Sequence, residues 1–311
     1  MPSWQASVLN RLLTYVARPS VSRGSAKVPL CGIRRRLLEM DRRWLGWPQE
    51  LKVEHWPLSH SPLIHYQLPQ PREVSLFYIR GGGFCFKTPH AHARFLADIM
   101  RRSLADCYVP DYRLADCYVP DYRLAPEHPF PAACDDVLEA YRMTLEHCDP
   151  DKLVLMGDSA GGNLALSLLL QLKQLELPLP RACVLLSPAL DLGITGDTER
   201  ILAADDPLFT IESLLRLRGA YLAGSNPMSE RVSPLYGCFK DLPPILLLAG
   251  TRELLLQDAE RLQQAVLRDG GRIEAGFYLN MPHVFPLFEL LPEAMEARGQ
   301  IAAFIRNNLL L

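Results

Sequence analysis

Several things are scarce or missing in this chain of 311 residues. Charge of one sign is absent: 33 Lys and Arg against 35 Asp and Glu leave a formal net charge of −2. That balance offers no general attraction to nucleic acid or to an anionic membrane. The eight cysteines, at 31, 85, 107, 117, 134, 148, 183 and 238, form no C-x-x-C pair and no Cys/His cluster at zinc spacing. A zinc module and a disulfide scaffold are therefore both disfavoured. Cys183, inside Ala182-Cys183-Val184-Leu185-Leu186, typifies buried free thiols in a reducing compartment. The start, Met-Pro-Ser-Trp-Gln, lacks the basic residues and apolar run of a secretory signal, and no apolar stretch is long enough to span a bilayer. A cytoplasmic location without a membrane span is the expectation. What is present is a globular composition, 49% hydrophobic and 22% charged.

Residues 1–47 read as amphipathic helices, with Trp4, Val8, Leu12, Tyr15 and then Ile33, Leu37, Met40, Trp44 at helical spacing. The basic clusters Arg34–Arg36 and Arg42-Arg43 read as a solvated helix face, with a docking patch as the alternative. Two short segments, Lys52–Pro57 and Leu63–Leu68, suit an antiparallel pair. Strand patterns follow at Val74–Ile79, Leu153–Met156, Ala182–Leu186, Ile245–Ala249 and Arg272–Leu279. Helical patterns lie at Gly161–Leu175, Leu255–Leu267 and from Glu293 onward. Such alternation predicts an α/β fold with a mostly parallel sheet covered on both faces. Residues 191–234 break the rhythm, carry their own helix Ile211–Leu222, and read as an insertion above the sheet's C-terminal edge.

One feature is abnormal. Leu-Ala-Asp-Cys-Tyr-Val-Pro-Asp-Tyr-Arg occupies 104–113 and recurs, identically, at 114–123. Two copies are too few and too short for a solenoid. They are instead two candidates for one slot in the sheet, with the same side-chain pattern. Looping out ten residues costs only about 1 kcal/mol of chain entropy. Because the second copy continues into Ala125-Pro126-Glu127, it is expected to form the strand.

Candidate chemistry centres on Gly157-Asp158-Ser159-Ala160-Gly161, a G-x-S-x-G between a predicted strand and a predicted helix. Small flanking residues allow a sharp turn that lifts the Ser159 hydroxyl above the sheet. A serine needs a base, and the partners should follow in the order Ser, acid, His. His283 alone among the eight histidines has that order and a strand-end position. Glu253 follows the strand Ile245–Ala249 and is the preferred acid; Asp258, a turn into the next helix, is the rival. Gly81-Gly82-Gly83, after the strand Val74–Ile79, suits an oxyanion site, with Gly82, Gly83 and Ala160 donating N–H groups. Phe84, Phe86, Phe209, Leu214 and Phe285 are candidates to line a substrate pocket, although such residues are more often core.

Five motifs in order, Gly81-Gly82-Gly83-Phe84, Asp121–Glu127, Gly157–Gly162, Gly250–Glu253 and Met281–Phe285, resemble the hormone-sensitive-lipase-like branch of the α/β-hydrolases, the bacterial family IV carboxylesterases. The resemblance runs from about Leu51 to the C-terminus. It implies an α/β-hydrolase core (48–190 and 235–311) and a cap built from residues 1–47 and 191–234. It also implies small-molecule esters of short to medium acyl chain, no metal, no cofactor, and the option of a homodimer. Two departures stand out. Arg80 replaces the histidine usual before the glycine triplet, which points to reduced or redirected rather than absent activity. The duplication lies just ahead of Asp121–Glu127 and has the potential to remodel the pocket. Lactone hydrolysis on the same residues, or ligand binding without catalysis, remain alternatives.

Overall fold

Continuous apolar runs such as Leu153-Val154-Leu155-Met156 suit a strand buried on both faces. In the computed structural model, which describes residues 2–18, 29–69, 71–103 and 114–309, these runs build one sheet. Its strands are β1 (Lys52–Trp56), β2 (Leu63–Gln67), β3 (Pro71–Ile79), β4 (Leu114–Pro120), β5 (Leu153–Asp158), β6 (Ala182–Leu186), β7 (Ile245–Gly250) and β8 (Ile273–Tyr278). Their spatial order is β1-β2-β4-β3-β5-β6-β7-β8. β2 pairs antiparallel with β1 and with β4, and every later neighbour is parallel. Every residue of β5, β6 and β7 is buried.

The helices are α1 (Trp4–Leu12), α2 (Leu30–Trp44), α3 (Pro89–Arg102), α4 (Ala132–Leu145), α5 (Ala160–Gln174), α6 (Thr198–Ala203), α7 (Ile211–Leu222), α8 (Leu256–Arg268) and α9 (Pro292–Leu309). A π-helical turn, Leu13–Ala17, continues α1. Because successive strand residues point to opposite faces, Phe77, Leu155, Leu185 and Leu247 pack with α4, α5 and α8. Their neighbours Leu76, Val154, Val184 and Leu246 pack with α3 and α9. The sheet is thus covered on both sides. Among the described residues no helix is long and apolar enough to cross a membrane.

The second copy of the repeat forms β4, an interior strand between β2 and β3, with Cys117 opposite both Tyr66 and Leu76. The first copy, 104–113, lies outside the described residues. Chain continuity favours the second copy, since Asp121 onward runs directly back to the glycine loop, where Ala125 N–H donates to Phe84 O at 3.0 Å.

One expectation is corrected at the N-terminus. The apolar stripe of α1 does not face the core: Trp4, Val8, Leu12 and Tyr15 are 73%, 47%, 55% and 76% exposed. The opposite face docks instead. Ala6 is fully buried, allowing close approach, Asn10 Nδ2 donates to Asn280 O at 2.9 Å, and Ser3 Oγ donates to Glu293 at 2.8 Å. A polar seam therefore holds this helix where periodicity alone predicts an apolar one. At the other end of the sheet's upper rim, residues 191–234 are tied to the core at both ends. Asn163 Nδ2, on α5, donates to Ala189 O at 2.7 Å and to Val232 O at 2.8 Å.

Candidate active site

Ser159 sits between β5 and α5 with φ 52° and ψ −120°, a strained backbone for a residue with a Cβ. The turn is possible only because its neighbours are small. A Cβ on Gly157 would lie 2.5 Å from Gly161 O, and one on Gly161 would lie 2.0 Å from Ile79 O. The Ser159 N–H donates to Leu186 O at 2.9 Å, which ties the turn to the end of β6. The side chain is left half-buried above the sheet edge.

Three expected residues converge there. Ser159 Oγ lies 2.9 Å from His283 Nε2, and His283 Nδ1 lies 2.9 Å from Glu253 Oε2. Glu253 follows β7 and His283 follows β8, so adjacent parallel strands deliver both side chains to the same rim. A Cβ on Gly250 would meet Met281 O at 2.1 Å, so glycine is what lets the two loops approach. His283 and Glu253 are both buried, with side-chain exposures of 5% and 0%. Burial alone would lower the imidazole pKa, but the hydrogen bond and charge of Glu253 outweigh it and hold His283 above its ordinary 6.5. Burial pushes the Glu253 carboxyl above its ordinary value, with His283 acting in the opposite direction.

Asp258 is placed elsewhere. In the first turn of α8, its Oδ2 accepts the N–H groups of Leu190 at 2.7 Å and Asp191 at 3.0 Å. Burial pushes its carboxyl up to about 6, against those two backbone bonds. It braces the start of the insertion and does not meet His283.

The glycine loop runs past the same point. Gly82 and Gly83 have φ of +122° and +58°, and a Cβ on Gly82 would lie 2.2 Å from Phe86 O. Gly82 O accepts from the N–H groups of Cys85 (3.1 Å) and Phe86 (2.8 Å), which closes a tight turn. Among the described residues the Gly82 and Gly83 N–H groups have no acceptor of their own. Asp158, the variable residue before the serine, anchors the loop's start: its Oδ1 accepts from Gly81 N–H at 2.7 Å and Tyr78 Oη at 2.5 Å. Arg80 is buried. Its Nη1 donates to Phe86 O at 3.0 Å, its Nη2 to Asp121 Oδ1 at 3.0 Å, and its guanidinium lies 4.4 Å from the Tyr122 ring centre.

The expected pocket residues separate. Phe209 stands edge-on to His283, ring centres 5.3 Å apart, so residues 191–234 do reach the site. Phe84 is buried and stacked on Tyr221 at 3.7 Å. Phe86 is buried, with its backbone carbonyl turned to Gly82 and Arg80. Leu214 is half-buried one turn before Leu217, and it is Leu217 whose Cδ1 would lie 2.6 Å from a Cβ on Gly83. Phe285 is corrected to core: it is fully buried against Tyr278 at 4.7 Å, in the cluster under α3 and α9. One residue beyond an αL turn at Val284, its side chain is directed down into the sheet's lower layer.

Some supporting residues carry no sequence signal. Asp206 accepts the N–H groups of Leu208, Phe209 and Leu254, joining the insertion to the loop that carries Glu253. Ser187 Oγ accepts from Val284 N–H at 3.1 Å, fixing the turn after His283. Both act across gaps of roughly fifty to a hundred residues, which no local pattern reports. A separate polar cleft of about 420 Å³, between α1 and the Asp205–Arg252 ion pair, contains none of these site residues. Among the described residues no group of three or more His, Cys, Asp or Glu is placed to hold a metal ion.

Comparison with known proteins agrees with this architecture. Residues 76–116 and 114–287 match the family described as alpha/beta hydrolase fold, and the two matched segments meet inside the repeat. An acetyl-hydrolase of Streptomyces hygroscopicus is 36% identical over 75% of this chain and 75% of its own. An esterase of Acinetobacter venetianus is 34% identical over 85% of this chain and 86% of its own. The crystal structure of an esterase from the bacterial hormone-sensitive lipase family superposes with a TM-score of 0.86 at 29% identity, covering 99% of each chain. The chain belongs to the α/β-hydrolase family, in its hormone-sensitive-lipase-like branch.

Proposed function

We propose that this protein is a serine carboxylesterase that hydrolyses short- to medium-chain carboxylic esters through an acyl-enzyme. The observation that carries the reading is the continuous relay from Ser159 through His283 to Glu253, with 2.9 Å at each link, beside a loop with unengaged N–H groups. His283 Nε2 takes the Ser159 proton as Oγ attacks the ester carbonyl. The oxygen that gains charge is held by the N–H groups of Gly82, Gly83 and Ala160. Collapse expels the alkoxide, which receives the proton from His283 and leaves as the alcohol. Water, deprotonated by the same imidazole, then releases the acid. Glu253 orients the ring and stabilises its charged form. The names of the acetyl-hydrolase and esterase relatives support ester hydrolysis.

Residues 1–47 and 191–234 act as the cap in this reading. Phe209 and Leu217, pressed against His283 and Gly83, narrow the approach to Ser159 and favour small acyl groups. The test is hydrolysis of p-nitrophenyl esters from acetate to dodecanoate. kcat/KM is expected to peak among the short chains and to fall for decanoate and beyond. Absence of turnover with every ester would overturn the reading, and a maximum at dodecanoate would overturn the acyl-size assignment.

The pH dependence has a defined sign. The base must be neutral to accept a proton, so kcat/KM rises as pH passes through the His283 pKa. Since Glu253 holds that pKa above its ordinary 6.5, the acidic limb is expected to have its midpoint above 6.5. A pH–rate profile of the wild-type enzyme measures it; a midpoint below 6.5 would contradict the coupling to Glu253.

A further inference from the structure

We propose that Arg34, on the N-terminal helix α2, acts with Arg80 to position the oxyanion loop, so that α2 is a working part of the catalytic apparatus as well as a cover. The inference rests on the esterase reading above and adds a positioning residue to it. It begins with where the loop's carbonyls go. Phe84 O accepts from Ala125 N–H at 3.0 Å. Cys85 O accepts from Arg34 Nε at 2.8 Å, and Phe86 O accepts from Arg80 Nη1 at 3.0 Å. Three consecutive carbonyls are therefore each held by a donor from a different part of the chain. Pinning the carbonyls fixes the planes of these peptide groups. Gly82 O, held by the N–H groups of Cys85 and Phe86, fixes the peptide plane that carries Gly83 N–H, and Gly81 N–H, bonded to Asp158, anchors the residue before Gly82, so the whole turn that presents the oxyanion donors is held from both ends.

Both arginines are anchored by the same segment. Arg80 Nη2 pairs with Asp121, which also receives Lys87 Nζ at 2.8 Å. Arg34 pairs with Glu127 through Nη1 at 3.2 Å and Nη2 at 2.8 Å, and Nη2 also donates to Ala125 O at 2.7 Å. Segment 121–127 thus supplies two carboxylates, each steering one arginine onto one loop carbonyl. Arg80 and Lys87 overcome the effect of burial and hold Asp121 below its ordinary pKa, while the Arg34 hydrogen bond lowers Glu127. Both anchors are therefore charged at neutral pH. Arg34 fits the task through its planar fork, which reaches two carbonyls and a carboxylate at once; a lysine ammonium cannot hold that geometry.

The repeat gives this arrangement further weight. β4 is the second copy of the repeat and segment 121–127 begins inside that copy, yet the segment still meets the loop at Phe84 and, through the arginines, at Cys85 and Phe86. Ordered donors matter here because oxyanion stabilisation depends on dipoles already aimed before charge develops.

The test uses Arg34→Gln, Arg34→Lys and Glu127→Gln in the full chain. Each is assayed for kcat and KM on p-nitrophenyl butyrate and for affinity toward an aryl trifluoromethyl ketone. That ketone adds Ser159 Oγ and places a charged oxygen in the hole. Both Arg34 variants are expected to lose about tenfold to a hundredfold in kcat, less than the ~10²–10³ lost when a donor itself is deleted. Ketone affinity should fall by the same factor, while KM and melting temperature stay near wild type. Glu127→Gln, which leaves Arg34 present but unsteered, should lose less and combine non-additively with Arg34→Gln. Unchanged ketone affinity in the Arg34 variants would overturn the proposal. If Arg34→Gln does not fold, Arg34→Lys and Glu127→Gln decide it by the same readout. A wild type that neither turns over esters nor binds the ketone would instead overturn the esterase reading.

Discussion

Replacing Ser159 with alanine is expected to lower kcat on a short-chain ester by about 10⁶-fold, as when a triad nucleophile is removed. The reason is geometric. In the relay, Ser159 Oγ is the group that His283 Nε2 meets at 2.9 Å, so removing it removes both the nucleophile and the proton that the base takes. Stability should hardly change. Ser159 already has a Cβ at φ 52°, and alanine keeps that Cβ, so the strain of the turn is neither relieved nor increased. Its N–H bond to Leu186 O is a backbone bond and survives the substitution. The measurement is kcat on p-nitrophenyl butyrate together with a melting curve. Turnover within tenfold of wild type would show that another residue is the nucleophile.

The second large effect distinguishes two carboxylates close together in sequence. Glu253→Gln is expected to lose about 10³- to 10⁴-fold in kcat, because an amide can donate to His283 Nδ1 and favour the wrong tautomer. Asp258→Asn should stay within about threefold of wild type, under 1 kcal/mol in barrier. An asparagine oxygen can still accept the N–H groups of Leu190 and Asp191, and the substitution removes a carboxyl whose pKa burial has pushed up to about 6. The pH profiles carry a second signature. Without the Glu253 charge, burial acts on His283 against only the weaker pull of Asp206 and Asp158, so the acidic limb of Glu253→Gln should move to lower pH. Asp258→Asn should leave the limb where it is. A larger kcat loss at Asp258 than at Glu253 would reverse the assignment.

The central strands β5, β6 and β7 were legible because each is a short, almost entirely apolar run, and an apolar run covered on both faces has few other ways to be satisfied. β6 and α7 fall where the pattern puts them, and β5 and β7 extend a residue or two beyond it. The serine turn was legible for a related reason. Its glycines meet backbone atoms at 2.0–2.5 Å from an added Cβ, so the local sequence has to advertise the geometry. The α1 stripe misled because periodicity reports which side chains share a face, and not which face is buried. Ala6 and Asn10 make the contact, and neither contributes to an apolar pattern. Phe285 misled for a similar reason: its position after His283 is readable, but the turn at Val284 that sends its ring below the sheet is not.

By itself, then, the sequence determined the central strands, the serine turn, the chain order of Ser159, an acid and His283, and the glycine loop, since each part is encoded in a local run with a stringent steric or burial requirement. It left open which of two acids meets His283, which face of α1 packs, and what Arg80 does. Tertiary structure decided these. A turn of α8 takes Asp258 to the N–H groups of Leu190 and Asp191, and a half-buried Asp121 holds Arg80 in place at Phe86 O. Such pairings join residues tens of positions apart, and their energies depend on burial and direction that no local spacing records.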